Sequence, residues 1–283
     1  MKVTTIIIHW NTPDLLKKQL ALLKTERDLE VIVVDNDSQD GTSEMLMVEF
    51  PEVKTIALAQ NKGFAYANNL GIKLAKGELL MLLNPDTVLN DNFFSQTFEY
   101  LEHNPHVAIV GPLILNIDGS VQDSVRRFPD WRSQMLILLK MKNIMPQQKW
   151  LANYLIPNFD YQSVAEVDQI MGAAMIIRRS TFDKIGLLDQ QYFIWFEEVD
   201  FCQRAKKQGL SIQFVPNFSL KHYGGASFEQ TPTIAKQLMF NRSMMRYFFK
   251  HEPFWQVVIL ALVLPLNLLL TALYGLYLRA RAQ

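Results

Sequence analysis

Over its first hundred residues the chain alternates short β-branched runs with longer amphipathic stretches, at 3–9, 14–23, 30–35, 43–50, 53–58, 65–75 and 78–83. This order predicts an α/β fold with a doubly wound, mostly parallel sheet, because parallel neighbours need a crossover and the amphipathic stretches supply helices for it. In such sheets ligands bind at the carboxyl ends of the strands, so the residues just after each apolar run carry the most interest. Here they are polar: His9 and Asn11, Asp35 to Asp37, Gln60 to Lys62, and Asn84 to Asp86.

Further along, a strand at 107–110 precedes Asp118-Gly119, a turn pair that predicts a hairpin. Residues 131–165 read as helical to Met145 and then irregular, with no chemistry of their own. A strand at 170–177, a short helix near Thr181, a helix at 197–208 and a strand at 210–215 follow. No repeat or low-complexity linker separates these segments, so residues 1–230 are expected to form one domain.

Composition removes several classes. Twenty-eight Lys and Arg balance 28 Asp and Glu, so no global field draws nucleic acid and any anion site is local. The single cysteine, Cys202, excludes an intrachain disulfide and a cysteine metal cluster, and is expected as a half-buried helix residue. With neither GxxxxGK[ST] nor a GxGxxG after the first strand, ATPase and ordinary dehydrogenase readings lose their support. Lys2 is followed only by the short apolar run 3–8, too brief for a secretory signal, so the catalytic part is expected to stay in the cytosol.

Asn84-Pro85-Asp86 follows the apolar run 79–83, so a buried strand delivers the Asp86 carboxylate to the sheet edge. A hard divalent cation such as Mg²⁺ needs only one or two protein carboxylates, because substrate phosphates and water supply the other oxygens. The same tripeptide is also good turn or N-cap chemistry. His222, beside Gly224 and Gly225, is a possible second ligand, although a lone loop histidine is more often a bystander. Glu197, Glu198 and Asp200 open a helix after the aromatic run 192–196. Acidic residues commonly start helices, yet the cluster also describes a general base beside rings that could pack on a sugar. Residue chemistry alone leaves Glu197 and Glu198 as alternatives. Arg126 and Arg127 suit a diphosphate through their planar forks, or form a solvated pair.

Together, Ile8-His9-Trp10-Asn11-Thr12, Val34 to Ser38 with Asp40-Gly41-Thr42, Asn61-Lys62-Gly63-Phe64 with Asn68-Asn69, Leu83 to Asp86, Phe196 to Asp200 and His222 to Gly225 carry a resemblance over residues 3–250. The chain resembles the family 2 glycosyltransferases of the GT-A fold, and especially the rhamnosyltransferase-like branch that builds bacterial surface polysaccharides. That resemblance implies an inverting, metal-dependent transfer of a sugar from a nucleotide-sugar donor to a glycan or lipid-linked acceptor. L-rhamnose from dTDP-rhamnose is the donor it implies first, with a UDP-hexose as an alternative. It implies that His9, Trp10, Asn11 and Asp35 hold the base and ribose, and that Lys62, Gly63, Phe64 and Asn68 line the nucleotide pocket, with Arg127 on the donor. Asp86 would hold Mg²⁺ or Mn²⁺ with help from His222, and Glu198 would be the catalytic base. Asn84 replaces the first acid of the family's DxD motif, and Glu198 an aspartate. These departures leave a non-catalytic, membrane-bound glycan-binding scaffold as a reading from another class.

Residues 231–283 are expected to form a basic amphipathic helix and a hydrophobic membrane-associated segment. Residues 254–278 carry no charge and are long enough to cross a bilayer, which takes about 20 apolar residues. Arg242, Arg246 and Lys250 recur at i, i+4 spacing, as in a helix lying on anionic lipid, and Arg279 and Arg281 follow the apolar run. The expected location is the cytoplasmic face of the bacterial inner membrane. A buried core helix or a dimer contact is the alternative for this segment.

Overall fold

Strand and helix alternate as β1 (Val3–His9), α1 (Pro13–Leu23), β2 (Leu29–Asp35), α2 (Thr42–Glu49), β3 (Lys54–Ala57), α3 (Phe64–Leu74) and β4 (Leu79–Leu83) in the computed structural model. It describes residues 2–26, 29–224 and 233–281, with backbone alone at 143 and 277–281. Next come β5 (Thr87–Leu89), α4 (Phe93–His103), β6 (Val107–Leu115), β7 (Val125–Arg126), α5 (Trp131–Leu138) and α6 (Lys149–Leu155). The remainder is β8 (Ala165–Glu166), β9 (Gln169–Ile170), β10 (Ala174–Arg178), α7 (Arg179–Ile185), α8 (Glu197–Lys207), β11 (Ser211–His222), α9 (Thr233–His251) and α10 (Phe254–Arg281).

The main sheet runs β3-β2-β1-β4-β10-β6-β11-β5, with β8 beside β11. Strands β3, β2, β1 and β4 are mutually parallel, β10 is antiparallel between β4 and β6, and β11 runs parallel to β6. The expected doubly wound, mostly parallel α/β sheet is what the chain forms. Its strands are apolar on both faces because helices cover both. Ile6, Ile8, Ile32, Val34, Leu80 and Leu82 face α3, α7 and α8, while Val3, Ile7, Val33, Leu79, Met81 and Leu83 face α1, α2 and α4.

Four local expectations change. The strand expected at 170–177 is broken at Gly172: β9 pairs with β7 in a separate two-stranded sheet, and β10 joins the main one. The strand expected at 210–215 continues to His222, with a register shift between Val215 and Ser219 that absorbs Pro216. The helix expected to Met145 ends at Leu138 and is followed by one 3₁₀ turn at Met141–Asn143. Cys202 is fully buried rather than half-buried, and burial pushes its thiol up to about 12.

The C-terminal helices are part of the body. Met244, Tyr247 and Phe248 of α9 and Val257 and Leu260 of α10 share a core with Leu138, Tyr192, Phe196 and Val199. Two of the three cations in the basic stripe of α9 have partners within the fold, and Arg242 is exposed. Arg246 and Lys250 bind Asp189 at 3.0 and 2.9 Å, and Lys250 also reaches Asp200 at 2.7 Å. Asp200 is fully buried and further holds Arg204 Nε at 2.8 Å and His251 Nε2 at 2.7 Å. Burial alone would raise its pKa, but His251, Lys250 and Arg204 outweigh that and hold it at about 2. The clamp therefore contributes stability above the unfolded aspartate value of about 3.9 and loses it as pH falls toward 2. Gly225 and the 230/231 boundary lie outside the described residues.

Candidate active site

The polar ends of the strands converge at one edge. In the sheet register His9 stands opposite Asp35 and Asp35 opposite Ala57, with Leu83 beside Ile7. After β4 the chain turns at Pro85-Asp86 into β5, so Asn84-Pro85-Asp86 is a strand-to-strand turn and not a helix cap. Gln19 from α1 fixes this turn, donating to Asn84 O at 2.7 Å and to Thr87 Oγ1 at 2.6 Å.

Antiparallel pairing of β5 with β11 sets His222 opposite Thr87, one residue from Asp86. The Tyr223 amide then donates to Asp86 O at 3.0 Å. Both side chains are buried, and His222 Nε2 lies 3.3 Å from Asp86 Oδ1. Gln122 decides what lies between them. Its Nε2 donates to Asn116 Oδ1 at 2.9 Å, so its Oε1, 2.7 Å from His222 Nδ1, accepts that ring N–H. In the neutral ring Nε2 then presents a lone pair toward a carboxylate oxygen, and this buried nitrogen makes no hydrogen bond. Two facing acceptors, one oriented by an amide behind it, are the donor set that a divalent cation satisfies. Among the described residues no group of three or more His, Cys, Asp or Glu is placed to hold a metal ion, so a cation here would take its other ligands from phosphate and water.

The acidic pair sits on the same edge. Trp195 and Phe196 both adopt left-handed φ, +62° and +67°, before α8 begins. For bulky residues this costs about 1–2 kcal/mol each. Packing of the Phe196 ring on Phe240 and Tyr247, at 5.5 and 5.7 Å, offsets it. The Glu198 side chain lies over Gly172, where a Cβ would be 3.6 Å from its Cβ and Cγ. The next residue, Ala173, accepts from the Asn84 amide at 2.9 Å, which ties the glutamate to the Asp86 turn. Burial, then the charge of Glu198, pushes the Glu197 carboxyl well above the glutamate range. Burial also raises Glu198, but backbone N–H groups and Arg126 oppose it. Burial thus raises both carboxyls of the pair, and Arg126 favours the charged form of Glu198.

Several residues expected to touch the nucleotide are placed otherwise. His9 is fully buried: Thr42 Oγ1 and Asp40 Oδ2 lie 2.8 and 3.1 Å from Nε2, and Thr12 Oγ1 lies 3.3 Å from Nδ1. It holds the β2–α2 loop rather than a ligand, and burial, against Asp40, lowers its pKa. Asp35 accepts from the Ser38 amide and from Ser43 Oγ, and Asn11 accepts from the Gln39 amide, so both shape the loops on which half-buried Trp10 sits. Asn68 is fully buried and donates to Phe64 O, and Phe64 packs into the core. Arg127 is exposed, and Arg126, its neighbour on β7, is the arginine beside Glu198, because successive strand residues face opposite ways.

Gly63 serves the backbone. Its φ is +86°, and an added Cβ would lie 2.3 Å from Phe193 O, the atom that accepts from the Phe64 amide at 2.7 Å. Gly63→Ala is expected to cost about 2–4 kcal/mol in chemical denaturation, from the left-handed φ and the overlap together. A cost below about 0.5 kcal/mol would show that this loop contact is not required. Lys62 is exposed and lines a cleft of 310 Å³ with Gln190, Gln191, Phe193, Arg242 and Arg246.

Positioning roles absent from the sequence reading are those of Gln122 and Asn116 behind His222, of Arg126, expected on a diphosphate, beside Glu198, and of a set of asparagine clamps. Asn36 binds the Lys62 amide and Asn61 Oδ1, while Asn69 binds both Leu188 N and Leu188 O. The Asp118-Gly119 hairpin was a signal for Gln122, but its reach to a residue 100 positions away is not local information.

The family described as Glycosyl transferase family 2 matches residues 4–186. An N-acetylglucosaminyl-diphospho-decaprenol L-rhamnosyltransferase of Mycobacterium tuberculosis is 28% identical over 223 residues, which cover 74% of this chain and 71% of that protein. A dTDP-rhamnosyl transferase, RfbF, of Shigella flexneri is 23% identical over 78% of this chain and 68% of that protein. The crystal structure of GalNAc-T7 with UDP, GalNAc and Mn²⁺ superposes with a TM-score of 0.59 at 19% identity. It covers 78% of this chain, which spans 44% of that one, and the likeness is one of fold.

Proposed function

Because this chain belongs to glycosyl transferase family 2 and is a glycosyltransferase, we propose that it moves L-rhamnose from dTDP-rhamnose, with inversion, to a sugar carried on a polyprenyl diphosphate. The names of its M. tuberculosis and S. flexneri relatives support the sugar, the nucleotide and the carrier. The observation that carries the chemistry is the buried Asp86–His222 pair, two acceptors 3.3 Å apart on the edge that also bears Glu198.

Asp86 and His222 would hold Mg²⁺ or Mn²⁺, whose charge offsets that of the departing diphosphate. Glu198 takes the proton of the acceptor hydroxyl as that oxygen bonds to the anomeric carbon, and the carbon–oxygen bond to the diphosphate breaks. Burial and the neighbouring Glu198 favour the neutral form of Glu197. Arg126 favours the ionised form of Glu198 before the proton arrives.

Helix α10 supports work at the membrane. The positions it buries turn from apolar, Val257 and Leu260, to polar, Asn267 and Thr271: Asn267 Nδ2 donates to Leu138 O at 2.7 Å, Asn267 Oδ1 accepts from Asn241 at 2.9 Å, and Thr271 Oγ1 donates to Asn267 O at 2.8 Å. Its outward face is apolar through Val258, Leu262, Leu266, Leu269 and Leu273, with Leu262 77% exposed. An outward face this apolar, with polar contacts among the buried positions, suits lipid better than water. Changing Leu262, Leu266, Leu269 and Leu273 together to Ser is expected to move the protein from the membrane pellet to the supernatant with little change in Tm. Retention in the pellet would count against a lipid-facing α10. Removing the whole helix would be a poorer test, because Val257 and Leu260 belong to the core.

The function itself is tested by donor hydrolysis: dTDP-rhamnose and a UDP-sugar panel, each with Mn²⁺, Mg²⁺ or chelator, followed by nucleoside diphosphate release. Metal-dependent release from dTDP-rhamnose is the expected result. Release from a UDP-sugar alone would replace the donor, and no release even with lipid-linked glycan extracts would favour a non-catalytic scaffold.

A further inference from the structure

The cleft at Lys62 lies apart from the chemistry: Asp86, His222, Glu197 and Glu198 do not line it. Its walls come from the β3–α3 loop, from the 189–193 segment whose backbone docks on Gly63, and from α9. Three of its six lining residues are cations and two are amides.

The charges are unevenly spent. Arg246 Nη2 is taken by Asp189, which Lys250 shares, while Arg246 Nε is buried with no hydrogen-bond partner. Among the described residues, neither Arg242 nor the Lys62 ammonium makes a hydrogen bond or ion pair. The cleft thus gathers a surplus of positive charge, two side-chain amides and an idle N–H, a donor set suited to phosphate oxygens. At 310 Å³ it is at the small end of ligand sites, which run from about 300 to 1,000 Å³, so it fits a head group better than a whole nucleotide sugar. Arg242 and Arg246 also stand on the helix against which apolar α10 packs, where a phosphate on a lipid chain would arrive.

We propose that this cleft is the subsite for the diphosphate of the acceptor's lipid carrier, with Lys62, Arg242 and Arg246 as its cations. It rests on the reading that the acceptor is diphosphate-linked, and it assigns α9 a substrate role. A polyprenyl diphosphate held here keeps its hydrocarbon on the α10 side while its sugar extends toward Glu198.

The test compares the full-length protein with Arg242→Gln and Arg242→Glu, both at an exposed position, using two soluble probes in detergent: geranyl diphosphate and dTDP. Wild-type protein should bind geranyl diphosphate, and Arg242→Gln should weaken that binding about tenfold, with Arg242→Glu weaker still. Binding of dTDP and the KM for donor in hydrolysis should stay within about twofold of wild type. Loss of dTDP binding instead would assign the cleft to the donor and overturn the proposal. Unchanged binding of both probes, or no wild-type binding of geranyl diphosphate, would overturn it as well. Donor hydrolysis by the wild type is read separately, so failure of the rhamnosyl-donor reading leaves the geranyl diphosphate result standing, and the reverse.

Discussion

Glu198→Gln is expected to lower kcat by about 10²–10⁴-fold while leaving the KM for donor nearly unchanged. The substitution keeps size and hydrogen bonding but removes the carboxylate proposed as the base, the one whose charged form Arg126 favours. Because burial raises Glu198, the acid limb of the wild-type rate profile should fall above the ordinary glutamate value of about 4.3, and the variant should lack that limb. Stability should move the other way. The raised folded pKa values mean that the pair's contribution is complete below about pH 4.3 and is lost as pH rises through the folded values. Glu197→Gln and Glu198→Gln should therefore both raise Tm at pH 7–8, and only the second should silence the enzyme. Turnover of Glu198→Gln within threefold of wild type would remove Glu198 as the base.

Asp86→Asn is expected to reduce metal-supported donor turnover by about 10²–10³-fold, as loss of the one carboxylate at the cation site should cost several kcal/mol of charge stabilisation. The Mn²⁺ concentration giving half-maximal rate should rise in parallel. Gln122→Leu offers a finer readout, because it frees the His222 ring to turn and to take the other tautomer. It should weaken metal affinity by about 10–100-fold with kcat largely recovered at saturating Mn²⁺. If Asp86→Asn left both the rate and the metal titration unchanged, the Asp86–His222 pair would not be the cation site.

Much of this architecture was legible because it is local or periodic. The β-branched runs gave the parallel strands, and the residues just beyond β4 gave the Asp86 turn in its place at the sheet edge. The basic stripe of α9 was legible only in part, because i, i+4 spacing reports a shared helix face and not what covers it. Half-buried Asp189 and buried Asp200 pair with Arg246 and Lys250 from segments about 50 residues upstream, while Arg242 stays exposed. His9 misled for a similar reason: a polar residue at a strand end can face the ligand or brace the loop, and burial chose the brace.

What the sequence determined by itself is the doubly wound α/β order, the edge on which chemistry gathers, the acidic start of α8 and an apolar helix at the C-terminal end. Each is written in periodicity or in residues adjacent along the chain. Only the tertiary structure decided that His222 meets Asp86, that Gln122 orients it, that Arg126 stands by Glu198, and that Arg242 and Arg246 join Lys62 around one cleft. These are contacts between residues far apart in sequence, fixed by the antiparallel pairing of β5 with β11 and by burial. Burial sets pKa values and hydrogen-bond partners only once the core has closed.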